Sequence, residues 1–290
     1  MKLRSMLFVP ADSERKLAKS VASEADALIL DLEDAVAEAR KPVARGMAAD
    51  FIGAQVATMK ARLFVRVNPL DTPFVFDDLA RVVRPGLAGI VLPKIRSALD
   101  IQRLSQMLDT LEARAGIAPG SVKVVPVATE TPEIMLAMGS FAGLALPRLA
   151  AVTWGAEDLS AAVGAESNRE ADGRYSPLYQ LAASLCLCAA AAAGVPALDT
   201  VHTDFKDAAG LAATSRASRR RGFRGRIAIH PDQVVVINEA YSPTADEVAH
   251  ARRVVEAFAA QPEAGTLSLD GHMIDRPHLV QAQRTLAQLD

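Results

Sequence analysis

Short apolar runs recur along the chain, and each closes on proline or on polar residues. SMLFVP over 5–10 is stopped by Pro10. ALILDLED over 27–34 ends in three acids, Asp31, Glu33 and Asp34. RLFVRVN over 62–68 ends in Arg66 and Asn68, and GIVLPK over 89–94 ends in Lys94. KVVPVATE over 123–130 ends at Glu130, and AAVTWGAED over 150–158 ends at Asp158. PALDTVHT over 196–203 and GRIAIHP over 225–231, with His230, complete the set. Runs of this length between turn signals read as buried strands.

Helical stretches separate them. One follows Asp12 and Ser13, either of which can cap it, and runs to about 23. Another is interrupted at Pro42 and resumes to about 55. A long one covers 98–115, one opens at Thr131-Pro132-Glu133, and a strongly apolar one spans 178–193. Strands alternating with helices make parallel βα units, and eight of them predict closure into a (β/α)8 TIM-type barrel over 1–240. An open doubly wound sheet is disfavoured, because no Gly-rich phosphate loop follows the first strand. Past the eighth strand come a helix over about 243–260, a turn with Pro262 and Gly265, the stretch LSLDGHMID over 267–275, and a last helix from Pro277. The barrel does not need this tail. Residues 241–290 are therefore expected to form a C-terminal helical extension that covers a site or reaches a neighbouring subunit.

Composition narrows the class. The chain has 290 residues, half of them hydrophobic and 23% charged, with a formal net charge of −2. That supports a large core and gives no global case for nucleic-acid binding. The basic cluster of Arg216, Arg219, Arg220, Arg221, Arg224 and Arg226 reads as solvated surface. Cys186 and Cys188 point about 200° apart on a helix, so they read as reduced packing residues. No run approaches a spanning helix and no targeting segment is visible, so the expected setting is the cytoplasm.

The candidate chemistry lies where strands end. In a barrel these ends share one mouth, and Glu33, Arg66, Lys94, Glu130, Asp158 and His230 all fall there. Glu130 and Asp158, on neighbouring strands, are expected to hold Mg²⁺, which takes one or two carboxylates, waters and a chelating substrate. Helix-start carboxylates are the alternative reading. Arg66 can grip a substrate carboxylate bidentately, or can pair with Glu33 or Glu130. The Gly155 and Ala156 N–H groups can hold a further oxygen, because glycine lets the backbone approach closely. Lys94 reads as an ion pair with the acids, or as a Schiff-base amine. His230 and His202 are weaker candidates, with loop fixing favoured for His230. Mg²⁺ beside a guanidinium suits an α-keto or α-hydroxy carboxylate, and making or breaking a carbon–carbon bond next to a carbonyl follows from that.

RSMLFVPADSERKLAKS, ALILDLEDAV, FVRVN, GIVLPK, VATETP, WGAEDLSAAVGA, ALDTVHTD, GFRGRIAIHPDQV and DGHMIDRPHL together resemble the HpcH/HpaI aldolase/citrate lyase family, in its citrate lyase β-subunit-like branch. The resemblance covers nearly the whole chain in order. It implies a (β/α)8 barrel, often trimeric, with Mg²⁺, or Mn²⁺ in its place, on Glu130 and Asp158. It also implies a substrate carboxylate on Arg66, backbone contacts at Gly155-Ala156, and Glu33 and Asp34 near the metal's waters. Asp275, in the C-terminal MID motif, would be the general acid/base supplied by a neighbouring subunit. The implied substrates are a 2-oxo acid and a coenzyme A thioester of the malyl-CoA or citramalyl-CoA kind. A malyl-CoA thioesterase and a citrate lyase β subunit acting on a carrier-protein thioester are alternatives within the family. A non-catalytic module that binds metal and 2-oxo acid is the alternative outside it. The first loop departs from the family's Gly-Asn-Arg with Ala11-Asp12-Ser13, which leaves Arg15 and Lys16 as the basic residues for coenzyme A phosphates there.

Overall fold

The computed structural model describes residues 1–56 and 58–289. Among them, eight parallel strands form one sheet: β1 (Ser5–Pro10), β2 (Ala27–Asp31), β3 (Arg62–Arg66), β4 (Leu87–Leu92), β5 (Lys123–Pro126), β6 (Val152–Thr153), β7 (Ala197–Asp199) and β8 (Gly225–Ala228). The hydrogen-bonded order is β5-β4-β3-β2-β1-β8-β7-β6. Bridges Val124↔Leu149 and Val127↔Thr153 join its two ends, with Ala128 N–H donating to Thr153 O at 2.7 Å. The result is the expected (β/α)8 barrel. β2 is buried at every position, as a parallel strand with covered faces must be. Ile29, Phe64, Val91, Val125, Ala151, Leu198 and Ile227 pack together in one buried cluster.

The strands stop earlier than the apolar runs. β2 ends at Asp31 rather than 34, β3 at Arg66 rather than 68, and β5 at Pro126 rather than 130. β6 is two residues long, and Glu157 and Asp158 open the Glu157–Val163 helix instead of ending a strand. At these ends the chain leaves the ladder so that charged side chains face the mouth rather than a covered sheet face. Among the described residues, three further helices arise outside the runs read as helical: Val75–Val82, Ala208–Arg221 and Asp232–Tyr241. The last contains Val234-Val235-Val236-Ile237, a β-branched stretch with poor helix propensity. Tertiary bonds anchor its start: Gln233 Oε1 accepts the Ile229 and His230 N–H groups, and its Nε2 donates to His202 O at 2.8 Å.

The chain divides into two compact units, Leu3–Asn238 and Glu239–Asp290. The second is not purely helical. Between the Ala245–Ala260 and Arg276–Leu286 helices lies an antiparallel hairpin of β9 (Thr266–Leu269) and β10 (His272–Asp275). Its turn residues Asp270 and Gly271 both have left-handed φ, at +52° and +77°, so Asp-Gly sets the turn. Ala251, Val254, Phe258, Ile274 and Ala282 form its core.

A buried ion pair ties the Leu99–Ala115 helix to the chain entering β5 and β6. Glu112 accepts two bonds of 2.7 Å from Arg148 and one of 2.8 Å from each of the Gly120 and Val122 N–H groups. Burial opposes its charge, but the Arg148 bonds and then the two backbone bonds bring its carboxyl down to about 2. Folding therefore lowers this pKa below its ordinary 4.5. Its contribution to stability is present in full above that pH and is lost as pH falls toward 2. Glu112→Gln is expected to cost about 3 kcal/mol at neutral pH. In urea titrations across pH, its deficit against the unchanged chain should narrow only on the acid side of 4.5.

Candidate active site

A cavity of about 680 Å³ opens at the carboxyl ends of the strands. Below, it is walled by Ile29, Val91, Val125, Val127 and Ile227. Above, it meets Asp31, Arg66, Glu130, Trp154, Ala156 and Asp158. The apolar wall belongs to the barrel core, so the cavity has an apolar floor under a charged rim.

Arg66 ends β3 and is nearly buried. Its Nε and Nη2 grip Asp31 Oδ1 and Oδ2 at 2.8 and 2.7 Å. Its Nη1 lies 2.9 Å from Glu33 Oε2, and its guanidinium stacks 4.5 Å from the Phe8 ring centre. Burial works against its charge, yet the Asp31 bonds and then the charges of Asp31, Glu33 and Glu130 hold its proton more firmly than usual. The pairing is thus with Asp31 and Glu33 rather than with Glu130, and Asp31 occupies one bidentate edge. Asp31 also accepts the Glu33 and Ala35 N–H groups at 3.0 and 3.2 Å, which shapes the acidic turn.

Glu33 is 3% exposed. Burial pushes its carboxyl up to about 7, against the pull of Arg66 and Lys94. Its Oε2 makes no hydrogen bond despite the ion-pair contact. Lys94 Nζ binds Glu33 Oε1 and lies 3.1 Å from both Asp34 Oδ2 and Asp158 Oδ1. Burial disfavours its charge, but the Glu33 bond and the surrounding carboxylates raise its pKa. A Schiff-base lysine needs a neutral amine, and this ammonium is held charged. The ion-pair reading of Lys94 is the one the geometry favours.

Glu130 is 4% exposed, and its Oε2 accepts the Lys94 N–H at 2.7 Å. Burial first, and then the charge of Asp158, push its carboxyl well above the usual carboxylate range. A divalent ion between Glu130 and Asp158 would relieve both influences, so the pair fits Mg²⁺ with waters and a chelating substrate. Among the described residues no group of three or more His, Cys, Asp or Glu is gathered for a metal. That leaves no fully protein-built cage. A Cβ at Gly155 would come within 2.9 Å of Glu130 Cγ, so glycine there leaves room for that carboxylate. The Gly155 N–H, expected to face substrate, instead donates to Thr129 Oγ1 at 3.1 Å. Ala156 remains on the cavity wall.

Of the other candidates, His230 also lines this cavity. His230 accepts the Asp232 N–H at 3.3 Å on Nδ1 and stacks on Phe205, which is loop fixing. His202 lies 3.8 Å from Asp207, and burial lowers its pKa. Asp275 belongs to the second unit. It caps the Arg276–Leu286 helix, and its Oδ1 lies 2.5 Å from His278 Nδ1.

The sequence reading passed over the support beneath the rim. Lys41 is buried and donates to Leu32 O, Glu33 O and Asn68 Oδ1 at 2.9, 3.0 and 2.7 Å. Asp78 accepts the Asn68 N–H at 2.9 Å and Arg45 Nε at 2.5 Å. Asn68 and Asp31 were visible at strand ends. Lys41 and Asp78 sit in helices, where only tertiary contact reveals a buried charge.

The HpcH/HpaI aldolase/citrate lyase family model matches residues 4–231. The chain belongs to this family. A citrate lyase subunit beta-like protein of Mycobacterium tuberculosis is 36% identical over 280 residues, covering 97% of this chain and 93% of that protein. A (3S)-malyl-CoA thioesterase of Cereibacter sphaeroides is 34% identical over 294 residues, covering 99% and 94%. The crystal structure of CitE from Mycobacterium tuberculosis in complex with magnesium, acetoacetate and coenzyme A superposes with a TM-score of 0.79 at 34% identity, covering 99% of this chain and 98% of that one. Membership of the HpcH/HpaI aldolase/citrate lyase family makes the chain an enzyme of the lyase class. Among the described residues no helix is long and apolar enough to cross a membrane.

The charged state of Lys94 gives a direct test of mechanism. Borohydride added with pyruvate is expected to leave the protein mass unchanged by mass spectrometry, and a reduced pyruvyl adduct on Lys94 would overturn the ion-pair assignment.

Proposed function

We propose that this chain is a Mg²⁺-dependent carbon–carbon lyase acting on a malyl-CoA-like or citramalyl-CoA-like thioester. The reading rests on one observation above the others: Arg66, Glu130 and Asp158 border a single cavity with an aliphatic floor. The CitE complex with magnesium, acetoacetate and coenzyme A supports the choice of metal and ligands.

Glu130 and Asp158 would hold the ion, which when bound supplies Lewis-acid polarisation of the 2-oxo acid's keto and carboxylate oxygens. Arg66, oriented by Asp31, takes the 2-oxo acid carboxylate on its Nη1 side once Glu33 gives up its contact there. Ala156 lies along the same wall, and Glu33, Asp34 and Lys94 order the water around the site. In the cleavage direction a base takes the β-hydroxyl proton, and the carbon–carbon bond breaks to a 2-oxo acid and an acyl-CoA enolate. Asp275, from a neighbouring subunit of a trimer, then protonates the enolate carbon, or removes that proton in the reverse direction. A cytoplasmic setting suits a coenzyme A substrate and two free cysteines.

Thioester hydrolysis is the second reading, favoured by the likeness to the malyl-CoA thioesterase over 99% of this chain. The two are separated by assaying malyl-CoA and citramalyl-CoA with Mg²⁺ and with EDTA, following free thiol and 2-oxo acid independently. Metal-dependent release of glyoxylate or pyruvate without thiol is the expected result. Thiol without 2-oxo acid would replace the lyase by a thioesterase. Binding of Mg²⁺ and 2-oxo acid with no turnover of either thioester would favour a non-catalytic module.

Variants assign the roles. Asp158→Asn is expected to lose both metal binding and turnover. Asp275→Asn should keep metal and 2-oxo acid binding, measured calorimetrically, while losing turnover by about 100-fold or more. Full lyase activity in Asp275→Asn would remove Asp275 from the mechanism.

A further inference from the structure

One residue touches both carboxylates assigned to the metal. Lys94 lies two positions beyond β4, and its φ of +49° is left-handed. Among the described residues only Asp270, in the hairpin turn, shares that conformation without being glycine. A lysine there is strained, and strain of this kind persists where surrounding contacts over-determine it. Those contacts are specific. The Lys94 N–H donates to Glu130 Oε2 at 2.7 Å, while its ammonium lies 3.1 Å from Asp158 Oδ1. The same ammonium binds Glu33 and Asp34.

The charge balance of the rim makes this arrangement consequential. Among the described residues, Arg66 and Lys94 are the cations in ion-pair contact with Asp31, Glu33, Asp34 and Asp158, while Arg15, Lys16 and Lys19 also line the cavity. Arg66 is engaged by Asp31 and Glu33. Among the described residues Lys94 is the cation in ion-pair contact with Asp158.

We propose that Lys94 is a built-in counter-ion that competes with the divalent metal for Asp158. Its backbone orients one metal carboxylate, and its ammonium neutralises the other until the metal arrives. This rests on the metal reading above and adds to it a role for a residue that is neither ligand nor acid/base. The ammonium stabilises the metal-free rim and weakens divalent-ion affinity, which keeps metal exchange within reach of substrate binding. Competition by a fixed positive charge is a Coulomb effect that acts over this distance in a half-buried site.

Two substitutions separate backbone from side chain. Lys94→Gly keeps the left-handed conformation without strain, and keeps the N–H directed at Glu130. Lys94→Met keeps the aliphatic stem and removes the charge. Mn²⁺ is the probe, with free ion followed by electron paramagnetic resonance, alongside the melting temperature in EDTA. Both variants are expected to bind Mn²⁺ at least fivefold more tightly than the unchanged protein, and Lys94→Met to melt several degrees lower in EDTA. Lys94→Arg, which keeps the charge, should stay within about twofold of the starting affinity. Unchanged or weaker Mn²⁺ affinity in Lys94→Gly would overturn the counter-ion role while leaving the metal site standing. No Mn²⁺ binding by any of the four proteins would overturn the metal assignment and the counter-ion role together.

Discussion

The carboxylates packed together at the barrel mouth outnumber the cations in ion-pair contact with them, Arg66 and Lys94 among the described residues, and much of the surrounding structure manages that imbalance. Burying like charges together is costly unless each finds a partner or sheds its charge. Asp31 solves the problem with a two-pronged bond to Arg66. Glu33 answers by drifting toward protonation, its carboxyl up at about 7. Glu130 has one backbone donor, and burial together with Asp158 drives its carboxyl far above the ordinary range. What remains is a set of carboxylates whose mutual repulsion a divalent cation would relieve.

Holding such a rim open requires a rigid base. Three layers supply it. The aliphatic barrel interior packs beneath the carboxylates. The Lys41, Asn68 and Asp78 network fixes the backbone after β2 and β3, so the acidic turn cannot relax away from Arg66. The Thr129–Gly155 pair clips the loop after β5 to the loop after β6, and the missing side chain at Gly155 leaves space for Glu130. The Lys41, Asn68 and Asp78 network lies outside the cavity lining and acts through backbone position.

Much of this was legible in the chain. Eight apolar runs separated by helical stretches specify a parallel barrel, since buried parallel strands are apolar on both faces. Of the polar residues closing those runs, Asp31, Arg66, Glu130, Asp158 and His230 border the cavity, because a covered sheet face cannot hold them. The stretch Leu267–Asp275 was less legible than it needed to be. Its Asp-Gly pair between alternating residues is a hairpin signal, and a hairpin is what forms. The Asp232–Tyr241 helix went unseen for the opposite reason: its β-branched run argues for a strand, and only the anchoring by Gln233 selects the helix.

Sequence by itself determined the architecture, the family, and which side chains meet at the strand ends, because hydrophobic periodicity and strand-end polarity are local properties written along the chain. Tertiary structure alone decided who pairs with whom. Arg66 chooses Asp31, 35 residues away, and Lys94 reaches Glu33, 61 residues away. It also turned the Gly155 N–H toward Thr129 and raised the Glu33 carboxyl. Ion pairing, desolvation and donor direction depend on distances between separate strands. No spacing within one segment encodes those distances; closing the barrel does.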